Sequence, residues 1–159
     1  MRREEYQMGK RQAPGSKAAT GRRGLTEGNA EISVTRSAKP AHPVVRQIAE
    51  NLAKIDAIRT VKVTRGFLEA SSETSGARKR PVAKPGHPTA VGVSLILAED
   101  RKEIQFYEMT SAVKGYGSRM VEAVLNGLPK DWKIFVLMDW SDGFWKVMKR
   151  RHRRIVLMS

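Results

Sequence analysis

The sequence contains no cysteine, and this absence excludes several kinds of chemistry. Disulfide bonds, thiolate-based zinc sites and cysteine nucleophiles all require a sulfhydryl side chain. Histidine is also scarce: the three residues His42, His87 and His152 are scattered, with no acidic partners at metal-ligand spacing. We therefore predict no disulfide framework and no metal site.

Long apolar runs are missing as well. No stretch is long enough to span a bilayer, and the start of the chain lacks the hydrophobic region of a secretion signal. The P-loop pattern, the three-glycine dinucleotide fingerprint and the Gly-x-Ser-x-Gly elbow of serine hydrolases do not occur either. We expect a soluble, cytoplasmic protein without a membrane partner.

Acidic residues are few relative to basic ones. The chain of 159 residues has 16 Asp and Glu against 30 Lys and Arg, a net charge of +14. Such an excess favours an anionic partner, namely RNA, DNA, a nucleoprotein complex or an acidic cofactor. The alternative is a basic protein whose charge serves only solubility.

Residues 1–40 are poor in large apolar side chains and rich in Gly, Ser, Ala, Lys and Arg. Because this composition cannot build a core, we predict a flexible basic arm, within which residues 31–35 form a short strand or a docked segment. The arm grips nucleic acid or a partner, or it only solubilises the protein. Residues 41–159 are long enough for a single domain.

Helix-like and strand-like patterns are mixed along the domain, which predicts an α+β fold. Ser141 or Asp142 is suited to cap the last helix. The strand over 91–98 should form an antiparallel hairpin with the strand over 104–109. The run 132–138 is apolar enough for a strand covered on both faces. The basic triplet 78–80 lies in a predicted loop, where it steers an anionic substrate or forms a solvated hairpin tip. Helical patterns occupy 43–58, 120–128 and 143–150; strand patterns occupy 60–67, 91–98, 104–109, 132–138 and 155–158; residues 70–88 read as a loop.

A glycine-bearing turn, Lys114-Gly115-Tyr116-Gly117-Ser118, connects one predicted strand to the following helix. The first N–H groups of a helix lack internal partners, and the helix dipole adds partial positive charge there. Glycines let an anion approach the main chain, while Lys114 and the hydroxyl of Ser118 add polar contacts. The turn therefore predicts a phosphate cradle; a simple tight turn is the alternative.

The order strand, Gly-Tyr-Gly-Ser, helix, buried strand and Gly143–Met148 resembles the core of the GNAT acetyltransferase superfamily over about residues 91–158. The resemblance implies a mixed, mostly antiparallel sheet flanked by helices, with an abbreviated N-terminal part. It implies binding of acetyl-CoA and transfer of its acetyl group to an amine. In that family an Arg/Gln-x-x-Gly-x-Gly/Ala turn wraps the pyrophosphate, which matches 112–117 here; Ala112 replaces the usual Arg or Gln, and Lys114 supplies the charge instead.

The resemblance also implies roles for individual residues. The pivotal strand of the family separates from its neighbour, and the gap, placed here around Glu108 and Met109, takes the pantetheine arm. Glu108 is then the candidate base, directly or through water. Trp145 stands where a tyrosine often serves as general acid; it cannot protonate a thiolate, so it packs against pantetheine or fills the core, and Tyr107 and Tyr116 are the alternative acids. The implied cofactor-binding residues are Met109, Val113, Lys114, Gly115, Tyr116, Gly117, Ser118 and Trp145.

Two function classes follow from these features. The first is an acyltransferase that acetylates an amine, on an acceptor associated with nucleic acid such as charged tRNA or a nucleoprotein. The second is a non-enzymatic nucleic-acid-binding or interaction protein that keeps a degenerate acetyltransferase fold. The basic run Lys149–Arg154 exceeds what a helix end requires, which predicts contact with an anion, either the 3′-phosphate end of the cofactor or, preferably, a polyanionic acceptor.

Overall fold

The computed structural model of the chain describes residues 30–158, which form nine strands and three α-helices. The strands are β1 (Glu31–Val34), β2 (Thr60–Thr64), β3 (Phe67–Ser71), β4 (Thr74–Ser75), β5 (Arg80–Pro81), β6 (Val91–Ala98), β7 (Glu103–Ser111), β8 (Lys133–Val136) and β9 (Ile155–Leu157). The helices are α1 (Pro43–Ala53), α2 (Tyr116–Asn126) and α3 (Phe144–Arg151), with short 3-10 helices at Arg36–Ala38 and Glu99–Arg101.

Most of the basic arm predicted for residues 1–40 lies outside the described residues. Its last part contains β1, which pairs in parallel with β2 and so belongs to the sheet. Of the two possibilities that the sequence left open for residues 31–35, the structure has the short strand. The folded unit therefore includes residues before position 41.

Seven strands form one mixed sheet in the order β9-β8-β7-β6-β3-β2-β1. The central pairings β2–β3, β3–β6 and β6–β7 are antiparallel, and the pairings toward both edges are parallel. The antiparallel ladders are the longer ones, because β6 and β7 share eight register pairs whereas β7 and β8 share four. The mixed α+β prediction and the β6–β7 hairpin are confirmed.

One face of the sheet carries the core. Alternation along each strand places apolar residues in register across five strands. The buried side chains of all three helices join these residues in one cluster, so the helices pack against this face. Each large side chain buried there contributes about 1.5–3 kcal/mol. The cross-strand row consists of Val63, Leu68, Leu95, Phe106 and Val136.

Helix α1 starts as predicted but ends earlier. Pro43 occupies its first turn, and Nδ1 of His42 accepts a hydrogen bond from the N–H of Val44 at 3.1 Å. The helix ends at Ala53 rather than 58, yet Ile55 and Ile58 are buried in the tight turns that follow. The apolar spacing therefore continued past the last helical residue, which explains the overextended prediction.

Other boundaries also differ from the sequence predictions: α2 spans Tyr116–Asn126 rather than 120–128, and β7 spans Glu103–Ser111 rather than 104–109. The strand predicted over 60–67 stops at Thr64, and Phe67 already begins β3.

The predicted loop 70–88 contains the hairpin β4–β5: Arg78 and Lys79 lie at its tip, whereas Arg80 lies in β5 and pairs with Glu69 at 3.3 Å. The strand predicted over 132–138 spans only 133–136, and burial alternates along it, so coverage on both faces was wrong.

Candidate active site

Strands β7 and β8 pair only over part of their length. Glu103–Phe106 lies in register with Lys133–Val136, and β8 ends there while β7 continues to Ser111. Beyond Phe106, β7 is therefore paired with β6 alone. A β-bulge lies at the same point, because Leu95 pairs with Phe106 and Ser94 with Glu108, which leaves Tyr107 as the extra residue. Bulges bend a strand and re-aim its side chains, and the result is an opening beside the second half of β7.

The opening forms a cleft of about 340 Å³. Its walls come from four segments: the loop before β6, the second half of β7, the start of α2, and the segment from the end of β8 into α3. Aromatic rings dominate its interior, where Trp145 contacts Phe106 with ring centroids 4.9 Å apart and Phe144 at 5.2 Å. The lining residues are Pro85, Gly86, His87, Phe106, Tyr107, Glu108, Met109, Thr110, Ser111, Gly117, Met138, Trp140, Ser141, Phe144 and Trp145.

The start of α2 forms one end of this cleft. Gly115, the N-cap, has a left-handed φ of 95°, and no side chain of the described residues caps the helix. Gly117 is buried, and a Cβ at this position would lie 3.0 Å from Cε1 of Phe144, tighter than ordinary contact. The glycines therefore allow the turn and the close approach of the main chain to α3.

Tyr116 makes a different contact from the one expected of a catalytic acid. Its hydroxyl donates a hydrogen bond to Oδ1 of Asp56 at 2.7 Å, and Arg119 lies 3.1 Å from the same oxygen and over the tyrosine ring. Burial raises the pKa of Tyr116, and Asp56 raises it further. Burial also raises the pKa of Asp56, but the Tyr116 hydrogen bond and the charge of Arg119 outweigh it, so this pKa is lowered. The network ties the start of α2 to the turn after α1.

The structure brings some of the predicted site residues together and separates others. Glu108, Met109, Gly117 and Trp145 line the cleft, with Glu108 and Met109 half-buried on β7 and Trp145 buried on α3. The remaining residues lie on the turn and first helical residues rather than in the cleft lining, and Tyr116 reaches Asp56. These turn residues are Val113, Lys114, Gly115, Tyr116 and Ser118.

His87 is a lining residue that the sequence reasoning missed. Its Nδ1 accepts hydrogen bonds from the N–H groups of Thr89 and Ala90, so the neutral ring carries its proton on Nε2. The main-chain N–H of His87 donates to Oγ1 of Thr110 at 3.2 Å, which attaches the loop to β7. The length of the predicted loop 70–88 was the available signal, because long loops in compact domains are often functional.

The sequence patterns placed Trp140 and Ser141 in a turn, with Ser141 or Asp142 as the cap of the last helix. The N-cap of α3 is instead Gly143, so that cap prediction was wrong, although Ser141 Oγ accepts a hydrogen bond from the N–H of Trp145 at 3.3 Å. Ser141 also donates to the carboxylate of Asp139 through its N–H and its hydroxyl. The turn therefore fixes the segment that carries Trp140 along the cleft.

The basic run Lys149–Arg154 is used for structure more than the sequence indicated. The guanidinium of Arg154 donates to the carbonyl oxygens of Leu128, Pro129 and Trp132 at 3.2, 2.7 and 3.1 Å. Lys149 Nζ donates to the carbonyls of Arg153 and Ile155. The prediction that this run exceeds what the fold requires was wrong for Arg154 and Lys149, because both side chains bind main-chain carbonyl oxygens within the fold.

No protein-family model matches the chain, and neither the curated proteins nor the solved structures include a significant match. Between residues 30 and 158 no cluster of His, Asp and Glu has the composition to hold a metal ion. The described helices are too short or too polar to cross a membrane.

Proposed function

We propose that the protein is an N-acetyltransferase that moves the acetyl group of acetyl-CoA to an amine. One observation carries the proposal. The opening between β7 and β8 and the glycine turn at the start of α2 meet in one cleft, through the lining residue Gly117. The resemblance to the GNAT superfamily implies this juxtaposition of a strand gap with a phosphate-binding turn.

The main chain supports the binding of the cofactor. The second half of β7, Tyr107–Ser111, has no β8 neighbour, so its outward N–H and C=O groups can pair with the amides of a pantetheine arm, as in strand addition. The amides of 113–118 and the side chain of Lys114 would hold the pyrophosphate at the helix start. Trp145 offers an apolar wall to the arm.

Acetyl-CoA supplies a thioester that is already activated. The protein must then hold the amine, accept its proton and supply a proton to the leaving sulfur. Glu108 is the carboxylate of the cleft lining and takes the role of base. Tyr107, beside it on the bulge, takes the role of acid in place of Tyr116, whose hydroxyl is bound to Asp56.

The test is a thiol-release assay with a panel of small primary amines. Because the chain has no cysteine, every thiol that reacts with a disulfide reagent comes from CoA. We expect Glu108→Gln to lower kcat by about 10²–10³-fold, as loss of a general base does. The control is Glu99→Gln, which changes an exposed carboxylate outside the cleft. Thiol release that no amine stimulates above the rate without protein would contradict the proposal.

The second candidate is a nucleic-acid-binding protein that uses this fold as a scaffold. The net charge of +14 favours it, and Arg150 and Arg153 are exposed. RNA or DNA affinity that falls steeply with salt, together with no affinity for acetyl-CoA, would select this function. The arginine pair gives a specific prediction, since Arg150→Ala with Arg153→Ala would flatten the salt slope.

A further inference from the structure

The cleft differs in charge from the rest of the molecule. The chain has 30 Lys and Arg among 159 residues, yet none of those within residues 30–158 lines the cleft. The ionisable groups of the lining are the carboxylate of Glu108, the imidazole of His87 and the phenol of Tyr107. Because Asp139, just outside the lining, is hydrogen-bonded to Ser141, Glu108 is the carboxylate left to meet a ligand.

The mouth of the cleft is apolar and open to solvent. Tyr107, Met138 and Trp140 are 47%, 53% and 58% exposed, and all three line the same cleft. They approach it from both sides of the opening, Tyr107 on the bulge of β7 and the other two on the segment after β8. A group of large apolar side chains held at a cleft mouth marks a surface that binds an apolar ligand.

We propose that the acceptor is a primary amine on an uncharged, apolar body, an inference that rests on the proposed acetyl transfer. The ammonium lies at Glu108, and the body packs against Tyr107, Met138 and Trp140. A phosphate near the amine is disfavoured twice: no Lys or Arg of the lining can pair with it, and Glu108 repels it. The basic surface outside the cleft therefore does not select the acceptor.

A matched pair of amines tests this inference. Phenethylamine and O-phosphoethanolamine share an aminoethyl stem and differ in carrying an apolar ring or a phosphate. Binding is measured by calorimetry on the full chain, with and without CoA, and turnover by thiol release. We expect phenethylamine to bind at least about tenfold more tightly and to be acetylated with at least about tenfold higher kcat/KM, the discrimination that one apolar group gives in a fitted pocket.

Side-chain truncation then locates the subsite. Trp140→Ala and Met138→Ala should each raise the Kd of phenethylamine several-fold, to about tenfold for the tryptophan, and should leave ethanolamine, which has no apolar body, within about twofold. Met158→Ala is the matched control, because Met158 is 55% exposed like Met138 but lies outside the cleft. It should change neither ligand.

The two proposals fail in distinguishable ways. Preferential binding of O-phosphoethanolamine, equal binding of the two amines, or no binding of phenethylamine overturns the acceptor inference, whatever the activity. Loss of affinity in Met158→Ala as large as in Met138→Ala also overturns it, because the effect would then not belong to the cleft. Tight binding of phenethylamine that depends on Trp140, without any thiol release, supports the apolar subsite and contradicts the proposed acetyl transfer.

Discussion

The two halves of β7 have different surroundings. The closed half, Glu103–Phe106, has a neighbour on each side and only Phe106 reaches the cleft, whereas the open half, Tyr107–Ser111, is paired on one side and lines the cleft along its length. In the closed half the main-chain N–H and C=O groups form hydrogen bonds within the sheet, and the buried side chains contribute to the stability of the fold. In the open half, main-chain groups and side chains are left available to a ligand. The difference arises from the early end of β8 and the bulge at Tyr107, and the proposed function places its chemistry in the open half of the strand.

The largest expected effect separates two adjacent aromatic residues. Phe106 is buried in the closed half, and Tyr107 is exposed in the open half. Phe106→Ala should lower the free energy of unfolding by about 3–5 kcal/mol, because it leaves a cavity against Trp145. Tyr107→Ala should cost under about 1 kcal/mol in stability but reduce turnover. Urea denaturation and thiol release measure the two quantities, and equal stability losses would remove the distinction between the halves.

The wall of the open half gives the next prediction. A Cβ on Gly92, which pairs with Thr110 of β7, would collide with the main-chain carbonyl of Val82. Gly92→Ala should therefore push the 82–90 loop away and destabilise the fold by about 1–3 kcal/mol. Since this loop carries His87 into the cleft, we also expect weaker amine binding. A variant with unchanged urea midpoint and unchanged amine affinity would show that the loop is not attached as described.

Arg154 lies at the closed end, where it braces the turn between α2 and β8. Arg154→Ala should destabilise the fold by about 1–2 kcal/mol, because three carbonyl oxygens lose their hydrogen bonds from the guanidinium. Arg150→Ala removes an equal charge from an exposed position and should stay within about 0.5 kcal/mol. Thermal unfolding at two salt concentrations distinguishes the cases. Equal shifts in both variants would assign the effect to net charge instead of to the brace.

The smallest effect concerns the network beside the open end. Asp56→Asn should cost under about 1 kcal/mol at pH 7, because both Asp56 and Arg119 are largely exposed and their ion pair is screened. Folding lowers the pKa of Asp56. The carboxylate therefore makes its full contribution to the free energy of unfolding above its ordinary pKa of about 3.9, and this contribution is lost as pH falls through the folded-state pKa.

The raised pKa of Tyr116 sets the upper limit of the pH range in which this network stabilises the fold. Its neutral hydroxyl contributes below its ordinary pKa of about 10, and the contribution is lost as pH rises through the folded-state pKa. The difference in urea midpoint between wild type and Asp56→Asn should accordingly be constant near neutrality and vanish in strong acid. A difference that persists at pH 2 would mean that the carboxylate charge does not matter.

Local patterns were sufficient for much of the fold. The prediction of a buried strand over Val91–Ala98 gave β6 with its observed bounds, and the helical spacing that begins at Met120 gave helix α2, which starts earlier, at Tyr116. Both depend on residues that are neighbours in sequence. The end of α1 was missed, because Ile55 and Ile58 are buried by tertiary packing and imitate a helical period.

The candidate site was predictable only in part. The Gly-Tyr-Gly-Ser turn indicated a phosphate cradle, and Glu108 was named only through the resemblance to the GNAT superfamily. Nothing local indicates that Tyr116 reaches Asp56, 60 residues away, or that Arg154 reaches Leu128, 26 residues away. The cleft itself depends on where β8 stops pairing with β7, which is a property of the assembled sheet. The apolar mouth around Trp140 became visible only through that geometry.

Calorimetric titration of the full chain with acetyl-CoA tests the central claim most directly. We predict saturable binding to the wild type and its loss in Gly117→Asp, because the new side chain meets Phe144 and brings a negative charge to the helix start that would hold the pyrophosphate. Asn126→Asp makes the same charge change at the exposed far end of α2 and should leave the affinity unchanged. Absence of heat and of any thermal shift at millimolar acetyl-CoA, or equal affinity in Gly117→Asp, would contradict the account.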